Sequence, residues 1–106
     1  MAKYLICGSY TEEGLKGLLK DGGTKRMEET KKAVESLGGK FEAYYFAFGD
    51  NDFYLIADIP DSVSAIAGSL IVNVSGAVKA KITVLITPEE VDQAVKKTMV
   101  WRPPGQ

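Results

Sequence analysis

Two aromatic-rich apolar runs, Phe41-Glu-Ala-Tyr-Tyr-Phe-Ala-Phe48 and Phe53-Tyr-Leu-Ile-Ala-Asp-Ile59, are parted only by Gly49-Asp50-Asn51-Asp52. Glycine takes positive φ freely, and Asn and Asp bond their own backbone, so the four residues suit a turn. β-rich runs on either side of so short a break predict a β-hairpin. The segments before and after it have to be fitted around that hairpin.

Before it, Lys3 to Tyr10 reads as a strand, with Tyr4, Ile6 and Tyr10 on one face and Leu5 and Cys7 on the other. A strand apolar on both faces is covered on both sides. Thr11-Glu-Glu-Gly14 predicts a helix start, with Thr11 as N-cap and acids in the first turn. Leu15, Leu18 and Leu19 share one face of it. Gly14 and Gly17 weaken it and Asp21-Gly22-Gly23 ends it, so a short, irregular helix is expected. From Thr24 a longer helix is predicted by the stripe Met27, Thr30, Ala33, Val34 and Leu37. Lys25, Glu28, Glu29, Lys31, Lys32 and Glu35 make its solvated side, and Gly38-Gly39 closes it.

After the hairpin, Asp61 suits an N-cap, and Val63, Ile66, Ala67, Leu70 and Ile71 predict the buried stripe of another helix. Gly68 within it lets helix and sheet approach closely. Ala77 to Ile86 predicts a fourth strand, with Val78, Ala80, Ile82, Val84 and Ile86 on one face and Lys79, Lys81 and Thr83 on the other. Thr87-Pro-Glu-Glu90 is a capping box with proline at the first helical position, opening a last helix faced by Val91, Ala94, Val95 and Thr98. Pro103 and Pro104 stop any continuation, leaving residues 100–106 as a tail whose Trp101 is expected to pack on the body or a neighbour.

The order β-α-β-β-α-β plus a C-terminal helix predicts the α+β class: a ferredoxin-like βαββαβ sandwich with its main helices on one face of an antiparallel sheet. A chain of 106 residues, 45% apolar, has the material for one core, so residues 1–99 are read as a single domain. Helices on one face leave the other bare. Leu5 and Cys7 and, depending on register, Tyr44, Phe46 and Phe48 then need a cover, because a monomer rarely exposes so large an apolar face. A second copy packed sheet to sheet supplies it, so a homodimer with the form of a dimeric α+β barrel is expected.

A net charge of −1 draws the chain to neither nucleic acid nor anionic lipid, and neither is expected as a partner. No apolar run approaches the roughly 20 residues of a membrane span. The first residues carry one lysine and no small-residue cleavage site, which does not suit a signal peptide. Cys7 is the only cysteine, so no internal disulfide forms and a cytoplasmic setting is the default expectation. The chain has no histidine, which removes the commonest general base and metal ligand. Asp50-Asn-Asp52 is too short for a calcium loop, and Gly14-Leu-Lys-Gly17 and Gly22-Gly23-Thr24 lack the spacing of nucleotide-binding loops. No cofactor is expected.

Several motifs in order resemble one family. They are Tyr10-Thr11-x-x-Gly14, Arg26 early in the longer helix, Glu35-Ser-Leu-Gly-Gly39-Lys at its end, and Tyr45-x-x-x-Gly49-x-x-Asp52 followed by an apolar run, Asp58 and Pro60-Asp61. Gly76 and Ala77-Val-Lys79 complete the set. Over roughly residues 4–90 the chain resembles the GYD domain family, small bacterial and archaeal proteins named for a Gly-x-Tyr-Asp-like turn. The resemblance implies the ferredoxin-like fold and a likeness to dimeric α+β barrel proteins, which include small monooxygenases and ligand-binding modules. It implies no particular reaction. The chain departs from the family at Asn51, where the family usually has Tyr, so that side chain's role is missing here or passes to Tyr54.

Candidate ligand-binding residues are Tyr10, Thr11, Arg26, Tyr45, Asp52 and Tyr54. Asp52 with Arg26 beside it suits a general base or an anion grip, but a structural ion pair, or Asp52 bonding turn amides, accounts for the same residues. Tyr10, Tyr44, Tyr45 and Tyr54 suit an aromatic pocket with phenols as handles, or plain packing, and alternation puts Tyr45 opposite Tyr44. Thr11 is explained by its cap. Lys79 and Lys81 share a face that suits an anion or a solvated edge. Cys7 reads as a small apolar residue. The leading expectation is a homo-oligomeric module that binds a small molecule at the sheet. The alternatives are a cofactor-independent monooxygenase- or isomerase-like enzyme, and a structural or regulatory interaction protein that uses Trp101 and the tail.

Overall fold

The computed structural model describes residues 1–106. Its elements run β1 Ala2–Tyr10, α1 Glu12–Asp21, α2 Gly23–Ser36, β2 Lys40–Phe46, β3 Phe53–Ile59, α3 Ser62–Val74, β4 Val78–Leu85 and α4 Pro88–Ala94. The strands form one sheet in the order β2-β3-β1-β4, with every neighbouring pair antiparallel. This is the expected ferredoxin-like α+β arrangement, with α1 and α2 together occupying the first crossover.

β3 anchors the core because its pleat buries Phe53, Leu55, Ala57 and Ile59 beneath the helices while Tyr54, Ile56 and Asp58 face away. Pairing carries that division across the sheet. Tyr4 and Ile6 of β1 lie opposite Ala57 and Leu55, and Ile82 and Val84 of β4 lie opposite Ile6 and Tyr4. Val34 of α2 and Ala65 of α3 are the buried apolar residues contributed from the helix layer.

The helix ends follow the sequence signals. Thr11, Asp61 and Thr87 each accept a backbone N–H three residues on, and Thr87 with Glu90 forms the full capping box. Hydrogen bonding to Ser64 holds the Asp61 carboxyl below its usual range. At the end of α2, Gly38 takes φ +81°, the left-handed conformation that closes the helix.

Four expectations change. α1 is a regular helix of ten residues despite its two glycines, because Gly14 is where α1 presses on the start of β4: a Cβ there would sit 2.0 Å from the Ala77 carbonyl oxygen. A bulge separates the pairs Phe41–Ala57 and Ala43–Ile56 in β2. It turns Tyr44 and Phe46 to the helix-covered face rather than the bare one, leaves Ala43 and Tyr45 on the bare one, and strands Phe48 in the exposed loop. In α3 the side turned to the sheet is Ala65, Gly68, Ser69 and Val72, and of the large residues expected there only Ile71 reaches the lining, at its exposed edge. Gly68 abuts Leu37, and Val63, Ile66, Leu70 and Val74 point outward. Finally, every residue from Ile86 to Gln106 is exposed, so α4 and the tail, Trp101 included, do not pack on the body.

The two glycines of α1 give a paired test. Gly14→Ala forces the helix off β4 and is expected to cost about 1–3 kcal/mol, read as a fall of several degrees in Tm. Gly17 has nothing within 4 Å of its would-be Cβ, so Gly17→Ala is expected to stabilise by roughly 0.5–1 kcal/mol. Equal effects of the two substitutions in a thermal melt would contradict the close approach at Gly14.

Candidate functional site

β1 ends at Tyr10, and its end is tied down from both sides. The Tyr10 amide donates to Asp52 Oδ2 at 2.9 Å, and the Asp52 amide donates to the Gly8 carbonyl at 2.7 Å. On the other side the Thr11 amide donates to the Ala77 carbonyl at 2.9 Å, while the Thr11 hydroxyl donates to the Gly76 carbonyl at 2.6 Å. The loop 47–52 is closed by the Ala47 amide on the Asp52 carbonyl. These bonds fix the backbone from which the Tyr10 ring points under the helices.

There Tyr10 meets residues delivered by the β2 bulge and by β3. Its hydroxyl is 2.7 Å from that of Tyr44, whose ring stacks on Phe53 with centroids 5.8 Å apart and planes 7° from parallel. Phe46 packs edge-on to Tyr44 at 5.1 Å, and Tyr10 lies 5.4 Å from Phe53. Together the four rings form one aromatic wall.

Facing the wall, between the sheet and α1, α2 and α3, is a cavity of about 430 Å³. Ile6, Leu18, Phe53, Leu55, Val72 and Val78 give it an apolar lining, and its polar groups are Tyr10, Tyr44, Thr30, Ser75, Arg26 and, near solvent, Glu13. A second, smaller space of about 180 Å³ runs on between α2 and α3 and shares Ile6, Thr30 and Leu55 with the first. Its lining is almost wholly apolar, so the larger cavity is the one able to orient a bound molecule.

Burial pushes both phenols above their usual value near 10. The Tyr44 shift is the larger, since its bond to Tyr10 adds to burial, whereas that same bond lowers Tyr10. The positive charge of Arg26 on α2 lowers both, and Asp52 raises Tyr10. The net result is a pair of neutral hydroxyls. Arg26 is half-buried, and no carboxylate lies within 4.0 Å of its guanidinium.

The structure thus separates the six sequence candidates. Tyr10 and Arg26 line the cavity. Asp52 makes no ion pair with Arg26; its carboxylate holds a β1 amide instead. The Thr11 hydroxyl is committed to its cap and to the Gly76 carbonyl. Tyr45 and Tyr54 are cross-strand partners on the bare sheet face, 70% and 36% exposed, where the Asn51 side chain donates to the Tyr54 hydroxyl at 3.3 Å. Tyr44, Phe53, Leu18 and Val78 complete the cavity and were not among the six. The signal for Leu18 was its helix face and for the others strand alternation, and the bulge at Glu42 hid which phase of β2 faces inward. No three of Cys, Asp and Glu converge on a common point suited to a metal ion.

A family model for the GYD domain matches residues 4–95. The chain belongs to the GYD domain family. The match covers β1 through α4, so every residue of this GYD domain's cavity lies inside it. A comparison with curated proteins found no match. No helix of the domain is long and apolar enough to cross a membrane.

The raised phenols fix how stability depends on pH. A phenol whose folded pKa exceeds its unfolded value near 10 stabilises the fold fully below that value, and the contribution is lost as pH rises past it. Lys3, raised chiefly by its bond to Glu42, contributes loss with the same sign, so the difference between variants is the useful readout. Denaturant melts from pH 8 to 11.5 should show wild-type stability falling above about pH 10, with a shallower fall in Tyr44→Phe. Parallel curves would contradict the buried phenol pair.

Proposed function

We propose that this GYD domain is a homodimeric small-molecule-binding module whose ligand occupies the cavity between the sheet and α1, α2 and α3. The observation that carries the proposal is the aromatic wall. Three of its rings, the linked phenols Tyr10 and Tyr44 and the ring of Phe53, border about 430 Å³ of space instead of filling it, with Phe46 packed behind them, and that volume falls within the range of small-molecule pockets. The space opens to solvent past Glu13, Gly17 and Ser75, so an apolar molecule that enters it takes apolar lining out of water and stabilises the folded chain. Burial raises both phenols further above pH 7 and keeps them protonated, which suits hydrogen-bond donors better than acid–base catalysts at that pH.

Self-association is supported by the bare sheet face. Leu5, Cys7, Tyr54 and Ile56 lie at its centre, with Lys3, Lys79 and Lys81 toward its margins. Lys3 bonds Glu42 and lies 3.3 Å from Asp58 on the same face. The apolar centre suits a second copy of the same face better than water.

Native mass spectrometry of the untagged protein, mixed with a set of apolar fragments, reads both halves of the proposal. The expected species is a dimer with up to one fragment per subunit. A bare dimer at saturating fragment would remove the binding role, and a monomer at micromolar concentration would remove the sheet-to-sheet assembly.

A further inference from the structure

The polar groups of the cavity are sorted by type, and the sorting points to one class of ligand. In a hydroxyl pair one O–H is spent on the bond between them, so Tyr10 and Tyr44 together keep one O–H free to donate, whichever way the pair is oriented. Burial keeps that proton in place at physiological pH. Arg26 adds a guanidinium that can only donate and that no carboxylate of the chain engages within 4.0 Å. The Thr30 hydroxyl is already turned back to the Arg26 carbonyl at 2.9 Å. The tyrosine–arginine end of the cavity is therefore a donor site in search of an acceptor, while the walls beyond it are aliphatic and aromatic. Glu13, on the same cavity at the solvent side, sets a negative charge against any second anionic group.

We infer that the ligand is a compact apolar monocarboxylate, its carboxylate held by Arg26 and the free phenol hydroxyl and its apolar body laid along Phe53, Leu18 and Val78. A carboxylate is the acceptor-only group that matches this donor set, and charge-assisted bonds to it are the strong ones. The inference rests on the cavity being a ligand site, and it adds the chemistry of the ligand.

The test compares 2-naphthoate with neutral 2-naphthamide, two molecules of similar shape, by isothermal titration calorimetry on the full-length protein. The wild type is expected to bind the acid at least about tenfold more tightly than the amide. Arg26→Gln should bring the two close to parity by weakening the acid far more than the amide, and Arg26→Lys should keep part of the preference. Equal affinities in the wild type, or a preference that survives Arg26→Gln, overturn the carboxylate assignment and leave the cavity reading standing. Binding of neither probe overturns both. Circular dichroism and a thermal melt of each variant separate lost recognition from lost folding.

Discussion

The carboxylate of Asp52 on the Tyr10 amide is the contact on which the site depends. β1 lies between β3 and β4, and where it runs past the end of β3 its last amide needs a partner. Asp52 supplies one from the hairpin loop, and its own amide returns a bond to Gly8. A bond to an ionised acceptor contributes about 1.5–3 kcal/mol, enough to hold the loop against the strand. With the opposite side fixed by Thr11 on Gly76 and Ala77, the Tyr10 ring has one direction to take, and it reaches Tyr44.

The same corner explains why the helices leave a space. α1 starts directly after Thr11 and is brought against Ala77 at Gly14, and Leu18 follows one turn later at the edge of the cavity. α3 returns along the other side with small residues inward, and Asn73 near its end exchanges two bonds with the backbone of Ala80 in the edge strand β4. α1 is thus tied to the sheet edge at its start and α3 near its end, which holds the two helices apart there. The buried core is correspondingly small and centred on β3 and Val34. The proposed molecule in the cavity and the proposed partner on the bare face would both add burial that a chain of this size otherwise lacks.

Much of the fold was legible because its signals are local. The caps at Thr11, Asp61 and Thr87, the glycine after α2, and the alternation of Val78, Ala80, Ile82 and Val84 each depend on a few adjacent residues. The site was only half legible, because it depends on register and on which helix face turns inward. Tyr10 and Arg26 could be named from the sequence. The inward phase of β2 could not, since one extra residue at Glu42 reverses the faces of Tyr44 and Tyr45. α3 misled for a related reason. A helix apolar around most of its circumference carries no phase signal, and its inward side was decided by which residues were small enough to let it reach Leu37. Asp52 was noticed for its charge, yet its partner is an amide 42 positions away, which no spacing rule reveals.

The most direct measurement is a crystal structure of the protein soaked with 2-naphthoate. The account predicts the rings of Tyr10, Tyr44, Phe46 and Phe53 standing as a wall, with the carboxylate on Arg26 and a phenol hydroxyl and the naphthyl group beneath α1. Helices α1 and α3 closed onto those rings with no space between, or the molecule bound only elsewhere, would contradict it.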